Sequence, residues 1–364
     1  MKVALACDWL TNVGGAERVL LAVHEMYPDA PIYTSKYSKK GIDWFKDADV
    51  RTGWLQIFPT ALRRFLGPLR QRYFRKLDLS EYDLVISVTG AEAKAVRAKK
   101  HICYCHVPTQ YYWQMYDDYI RNPGFGIFNP LARLGLKIFV KPQRKKDYAA
   151  AQLPDEFVTI STYAAEQIKK YYNRKSTIIH PPVNVEKFSK KSSKKLIDEV
   201  EFITTSRQVT WKRLDLCVKA CLEVGSHLTI IGEGPEHENL VKLANGSPLI
   251  SFYPRMDQDE LKTYLKSAEG YLFPSLEPFG IAPVEALAAG CPVIAFGKGG
   301  ARDYIEPNKN GLFFESQTTE SLVYAIKNFK DLKFNREKVQ KSAEKFDEKI
   351  FKTKLKEFID EKTQ

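Results

Sequence analysis

Gly270-Tyr271-Leu272-Phe273-Pro274-Ser275-Leu276-Glu277-Pro278-Phe279-Gly280-Ile281-Ala282-Pro283-Val284-Glu285-Ala286-Leu287-Ala288-Ala289-Gly290 is the stretch from which the fold is read. It opens as a short apolar run ending at Pro274, the pattern of a buried strand. A loop at 275–280 follows. Residues 281–289 then read as a helix, with Pro283 tolerated in the first turn and Gly290 ending it. Cys291 to Phe296 is the next apolar run, so the whole is a β-loop-α-β unit. The helix start points unpaired N–H groups at the loop, where an anion can sit. Glu277 in the loop and Glu285 about one turn into the helix bracket that point. As an arbitrary pair they would read as one loop and one solvated glutamate.

The surrounding string gives the pair more meaning. A diphosphate at the helix start, with hydroxyls on both sides for the two carboxylates, is the layout of a nucleotide sugar. Glu277-Pro278-Phe279-Gly280, then Pro283-Val284-Glu285-Ala286, Gly290 and Pro292-Val293-Ile294, closely resemble the E-x7-E region of the family 4 retaining glycosyltransferases. That resemblance implies an α/β GT-B fold, two Rossmann-like domains facing a cleft, with a C-terminal helix crossing back to the first. It places Glu277 on sugar hydroxyls and Glu285 on the ribose, with Pro278, Phe279, Gly280 and Ile281 lining the diphosphate.

At 364 residues the chain exceeds one ordinary core, and two domains are expected. Hydrophobic residues at 44% and charged residues at 27% suit a soluble globular protein. No apolar run approaches the roughly 20 residues of a membrane-spanning helix. The N-terminus reads as a short strand broken by Asp8, not a signal peptide, which points to the cytoplasm. Six cysteines make no disulfide framework. Cys103 with Cys105 and Cys217 with Cys221 lack Cys-x2-Cys spacing, so buried reduced thiols are expected over a metal site. A net charge of +12 calls for a polyanionic partner, which composition alone leaves open among nucleic acid, an acidic membrane and a phosphorylated small molecule.

In the first half, the strand at 2–7 leads to Gly14 and Gly15 ahead of an amphipathic helix. Two glycines there permit a tight turn and close backbone approach. The resemblance makes both donor contacts. Residues 61–76 carry six cations (Arg63, Arg64, Arg70, Arg72, Arg75 and Lys76) and no acid, interleaved with Leu62, Phe65, Leu66, Leu69, Tyr73 and Phe74. That composition suits the surface of an anionic bilayer, and equally a core-facing helix with solvated arginines. The strands at 82–88 and 101–105 follow. The second ends in His106-Val107-Pro108-Thr109 with Tyr111, Tyr112, Trp113 and Tyr116 beyond. A histidine just past a strand's C-terminal end falls where open α/β sheets bind ligands. This neighbourhood resembles the mannosyltransferases of bacterial surface polysaccharides, in which the matching histidine lies beside the reacting sugar. A strand at 157–161 and a helix at 162–172 precede Pro181-Pro182. These prolines and the lysine-rich 187–195 mark the linker.

The pattern restarts with a strand at 201–206, then Arg207 and Lys212. Two cations in a βα loop can clamp a diphosphate from the side opposite a helix start. The family has Gly-Arg followed by a lysine here; Ser206 replaces the glycine. Gly232-Glu233-Gly234-Pro235 follows a strand. A dinucleotide fingerprint would need a third glycine and a following acid, and neither appears. The resemblance makes Gly232 and Gly234 part of the nucleotide-lining turn. Pro254 replaces another family glycine near the base. Gly297-Lys298-Gly299-Gly300 reads as a flexible loop beside the phosphates. Asp47-Ala48-Asp49 and Asp257-Gln258-Asp259 read as surface turns, and no metal or other cofactor is expected. Phe346, Ile350, Phe351, Leu355, Phe358 and Ile359 have helical spacing and form the closing helix.

The expected domains are 1–180 for the acceptor, 181–345 for the nucleotide sugar, and 346–364 for the closing helix. The expected reaction moves a sugar, with GDP-mannose the first choice of donor, onto a hydroxyl of a lipid-linked glycan or lipid acceptor. Arg207, Lys212, Glu277 and His106 carry the chemistry, and the expected setting is the cytoplasm with peripheral attachment to the inner membrane face. One rival is an epimerase of the same architecture, which acts without acceptor. The other is a basic nucleic-acid-binding protein, which leaves the two-glutamate loop unexplained; no nucleic-acid partner is expected.

Overall fold

Short apolar runs without polar alternation become strands buried on both faces, as parallel sheets require. The computed structural model describes residues 1–60, 66–121, 126–190 and 200–363. The chain divides into Met1–Pro182 with Phe351–Gln364, and Val183–Ile350.

Among the described residues, the first unit has seven parallel strands: β1 (Val3–Cys7), β2 (Ile32–Thr34), β3 (Val50–Thr52), β4 (Leu84–Thr89), β5 (His101–Cys105), β6 (Glu156–Thr159) and β7 (Thr177–Ile178). Their order is β3-β2-β1-β4-β5-β6-β7. The central pairing sets Val3 against Leu84 and Cys7 against Val88. Its helices are α1 (Gly15–Met26), α2 (Gly67–Lys76), α3 (Tyr116–Arg121), α4 (Asn129–Ala150) and α5 (Thr162–Tyr172). Helix α5 starts at Ser161, whose hydroxyl accepts from the Ala164 N–H, and stops at Asn173 in the left-handed region.

The second unit contains α6 (Val185–Ser189), β8 (Phe202–Thr205), α7 (Leu214–Val224), β9 (Leu228–Ile231), α8 (His237–Ala244), β10 (Ile250–Tyr253), α9 (Gln258–Ser267), β11 (Gly270–Phe273), α10 (Ile281–Ala288), β12 (Val293–Phe296), β13 (Gly311–Phe314), α11 (Thr319–Lys330) and α12 (Arg336–Ser342). All six strands are parallel in the order β10-β9-β8-β11-β12-β13. Phe202, Leu216, Val218, Ile230, Leu272, Ile294, Ile326 and Phe329 are in its main buried cluster. The last helix, α13 (Glu348–Thr363), belongs to the first unit from Phe351 onward: Phe351 packs 5.8 Å from the Tyr104 ring, and Lys352 pairs with Glu25.

Both sheets therefore run outward in two directions from a central pair, β1 with β4 and β8 with β11. Open α/β sheets bind ligands at the C-terminal ends of such a pair. Two expectations change here. The stretch expected as linker contains α6, while 191–199 lies outside the described residues. Asp257 is not merely in a surface turn: its carboxylate caps α9 by accepting from the N–H groups of Asp259 and Glu260. All six cysteines are buried and free.

Candidate functional site

In the second unit, β8 runs into Arg207 and a 3-10 turn at Thr210–Lys212, and β11 runs into Ser275, Glu277 and α10. Because β8 and β11 are neighbours, these two loops lie side by side. The Lys212 ammonium donates to Glu277 Oε1, which also accepts from the Ser275 hydroxyl at 2.8 Å. The same ammonium sits 4.4 Å above the Trp211 ring, a cation–π contact. Both members of the pair are 16% exposed, so the pair is shielded but reachable. Arg207 is exposed and makes no salt bridge among the described residues.

Tyr271 ties the two strands together where they end. Its hydroxyl donates to Thr205 O at 3.0 Å and accepts from the Thr205 N–H at 3.1 Å. Burial pushes its phenol well above the ordinary range; the Thr205 hydrogen bonds oppose this, and Glu277 and Glu285 add to it. Both carboxylates thus act on one hydroxyl. Glu285 is buried, not the solvated helical residue its type alone suggests.

Gly280 is obligatory for local reasons. Its φ is +93°, and a Cβ there would lie 2.6 Å from the Phe273 ring. Tyr304 donates to Phe279 O at 3.0 Å. The Phe279 side chain is buried against the Tyr304 and Phe346 rings. Pro278 and Ile281 are half-buried beside it, and no side chain caps the start of α10. The 297–300 segment is not a free loop. Gly299 and Gly300 are buried in a 3-10 turn, and Gly300 N–H donates to Glu277 O at 2.8 Å. A Cβ on Gly299 would lie 2.5 Å from that same oxygen. These glycines support the backbone that presents Glu277.

Gly232 and Gly234 have a similar local task. A Cβ at either would lie 2.2 Å from a carbonyl of the β8 loop, Ser206 O and Gln208 O respectively. Gln208 is buried and donates through Nε2 to Gly232 O at 2.6 Å. Both glycines thus allow the Arg207 loop to be held close.

The first unit presents different chemistry at its central pair. The Asp8 carboxylate at the end of β1 accepts from Thr89 Oγ1, Gly90 N and Ala93 N at 2.8–2.9 Å. Gly14 precedes α1 in an extended conformation, and a Cβ there would lie 2.8 Å from Glu17 Oε2. Exposed Gly15 begins the helix. The start of α1 is therefore covered by a buried carboxylate of its own first turn, a poor setting for a diphosphate. His106 follows β5, and its Nε2 is buried without a partner among the described residues. Burial holds its imidazole down at about 4, with Asp8 acting in the opposite sense.

The cationic segment divides. Arg63 and Arg64 lie outside the described residues. Arg70 is corrected from a membrane-surface candidate to a core residue: it is buried, pairs with Glu92 at 2.9 Å and stacks 4.9 Å from the Trp9 ring. Together with the Tyr111 hydroxyl at 3.2 Å, this pairing makes burial of a guanidinium tolerable. Arg72, Arg75 and Lys76 are exposed.

Spacing and residue type in the sequence do not single out Tyr271, Ser275, Tyr304 or Asp8 as site residues. Tyr271 sits in an apolar run that reads as core, and Asp8 was visible only as the acid ending a strand. Among the described residues, no group of three or more His, Cys, Asp or Glu side chains could hold a metal ion.

Residues 185–346 match the family described as glycosyl transferases group 1. An uncharacterized glycosyltransferase of Bacillus subtilis, YqgM, is 26% identical over 207 residues, covering 54% of this chain and 56% of that protein. The GDP-mannose-dependent alpha-(1-6)-phosphatidylinositol monomannoside mannosyltransferase of Mycobacterium tuberculosis is 31% identical over 140 residues, 34% of this chain and 36% of its own. The chain thus spans about half, or less, of the length of these relatives. Two solved structures resemble it along its length. The lipopolysaccharide outer core galactosyltransferase WaaB has a TM-score of 0.70 at 17% identity, covering 100% of both chains. Anabaena HepE, solved with UDP, has a TM-score of 0.69 at 16% identity, covering 99% of this chain and 100% of its own. At those identities the likeness carries the fold. The chain is an α/β protein of two Rossmann-like domains, the fold of solved glycosyltransferases, and its residues 185–346 match the glycosyl transferases group 1 family.

Proposed function

We propose that this protein transfers a sugar from a nucleotide diphosphate donor to an acceptor hydroxyl, with retention at the anomeric carbon. The observation that carries the reading is the Lys212–Glu277 pair at the ends of the neighbouring strands β8 and β11, with exposed Arg207 in the β8 loop and α10 beginning just beyond Glu277. Cations and amide dipoles on one spot suit a pyrophosphate; carboxylates beside them suit hydroxyls.

In this mechanism the bond from the anomeric carbon to the phosphate oxygen breaks while the acceptor oxygen bonds to that carbon from the same face. The acceptor's proton passes to the departing phosphate. Arg207, Lys212 and the backbone N–H groups at 279–281 stabilise the charge that builds on the diphosphate. Glu277 holds the sugar and Glu285 the ribose, with Gly232 and Gly234 shaping the turn beneath the nucleotide. His106, neutral at physiological pH, is assigned to a hydroxyl of the reacting sugar. Gly14 and Gly15, beside the Glu17 carboxylate, are assigned to the acceptor rather than to phosphate.

GDP-mannose is the proposed donor, supported by the His106 neighbourhood and by the relative whose name specifies that donor. The proposed acceptor is a lipid or lipid-linked glycan at an anionic membrane surface, consistent with the +12 charge. No described helix is long and apolar enough to cross a membrane. Thermal shift against GDP-, UDP- and ADP-sugars tests the donor class, with and without divalent metal. Stabilisation by a GDP-sugar is expected; no response to any nucleotide sugar would overturn the reading.

A further inference from the structure

Helix α4 has two opposed faces with different fates. Val140, Gln143, Asp147 and Ala150 are buried, and Asp147 anchors that side. Its carboxylate accepts from Thr109 Oγ1 at 2.9 Å, Trp113 Nε1 at 2.7 Å and the Tyr172 hydroxyl at 2.7 Å, and pairs with buried Lys94 at 2.7 Å. On the other side, Leu131, Leu134 and Ile138 recur at i, i+3 and i+7, which places them on one stripe. Leu131 is 69% and Ile138 58% exposed, and exposed Phe128 and Phe139 widen the stripe. Isolated exposed apolar residues are ordinary; four in the first three turns of α4, with Phe128 just ahead of them, are a patch.

The flanks carry one sign of charge. From Asn129 to Lys146 there are six cations and no acid. Lys137, Lys141, Lys145 and Lys146 are exposed and form no ion pair among the described residues. Helix α2 touches α4 and brings exposed Leu69, Arg72, Arg75 and Lys76. A symmetric contact with a second copy would set these cations against each other. A nucleic acid would leave the Leu–Ile stripe in water.

We propose that this face of α4 seats on an anionic lipid bilayer, the stripe at the headgroup–acyl boundary and the lysines among the phosphates. It moves the membrane surface from the 61–76 segment, where Arg70 is buried, to α4 with α2 as its flank. The inference rests on the membrane part of the proposed function and is independent of which sugar moves.

The test is flotation of the full chain with vesicles of phosphatidylcholine alone, or mixed with phosphatidylglycerol at about two to one. Binding to the mixed vesicles is expected, with weak binding to the neutral ones. Leu131→Glu, Leu134→Glu and Ile138→Glu together should reduce it by about tenfold or more. Lys137→Glu with Lys141→Glu should weaken it and flatten its salt dependence. Circular dichroism verifies that the variants fold; the milder Leu131→Gln with Ile138→Gln replaces the triple variant if it does not. Unchanged vesicle binding in the folded stripe variant, or equal binding to neutral vesicles, would overturn the proposal. So would a dimer in light scattering that the stripe variant converts to monomer. Donor thermal shift on the same preparations keeps the two readings apart: vesicle binding without a donor response removes sugar transfer and leaves this surface standing.

Discussion

The two units share a strand order and differ at the place where that order reverses. In the first, a carboxylate fills the gap: Asp8 takes up the N–H groups of Gly90 and Ala93, and Glu17 lies against Gly14 at the start of α1. In the second, the equivalent ends carry Arg207 and Lys212, and α10 begins after Gly280 with no side-chain cap. One topology thus yields a junction whose carboxylate is satisfied by backbone N–H groups and one where exposed Arg207 stands in the loop beside a Lys212–Glu277 ion pair. Topology provides the crevice; the few residues following each strand decide what can enter it.

Four measurements press on that contrast. The largest effect is expected at the cationic junction: Arg207→Ala or Lys212→Ala should lower kcat at saturating donor by about 10²–10³-fold. Unchanged turnover in both variants would remove the clamp. Next comes the filled junction, where Asp8→Ala strands two N–H groups and the Thr89 hydroxyl. Urea unfolding should show a stability loss of about 3 kcal/mol, against less than about 1 kcal/mol for Lys212→Ala. Equal losses would mean that the two junctions do not differ in kind.

The glycines before the helices should separate next. Gly280→Ala forces a side chain into φ +93° against the Phe273 ring and should cost about 2 kcal/mol. Gly14 is extended and meets only the mobile end of Glu17, so Gly14→Ala should cost less than about 1 kcal/mol. A larger loss at Gly14 than at Gly280 would reverse this part of the comparison.

The smallest effect concerns acid. His101 in β5 is buried, with Nε2 2.8 Å from the Ser87 hydroxyl, and burial lowers it from 6.5 to about 4. Between those values the unfolded chain binds a proton that the folded chain does not. Stability is therefore full above pH 6.5 and falls as pH drops toward 4, by about 2 kcal/mol at pH 5 from this group. His106 acts in the same direction. Urea midpoints at pH 7 and 5 check it, and His101→Gln should flatten the difference; an identical slope in that variant would assign the acid loss elsewhere.

The second unit was the more legible in sequence because its elements are short, apolar and closed by punctuation. Pro274, Gly280 and Gly290 delimit β11 and α10 closely; in the first unit a similarly punctuated element, the 162–172 helix found at α5, is as plain. Strands β2 and β3 do not stand out in the sequence because three residues carry too little pattern. Helix α4 went unread for a different reason: Gly135 and Pro142 interrupt it, and an apolar outer face hides the contrast that marks amphipathic helices. At the site, residue types and loop positions were readable, while contacts distant in sequence were not. That Gly232 and Gly234 make room for the 206–208 backbone, and that Arg70 sits beside Glu92, are matters of packing that spacing does not encode.

The Lys212–Glu277 contact has a consequence for ligand choice on the proposed reading. Each group already has an occupant, so an incoming molecule must exchange partners with both. A diphosphate alone takes the ammonium and leaves the carboxylate stranded; a complete nucleotide sugar offers that carboxylate hydroxyls in return. The resting pair would thus act as a two-part lock that favours intact donor over spent nucleotide, easing product departure after each turnover.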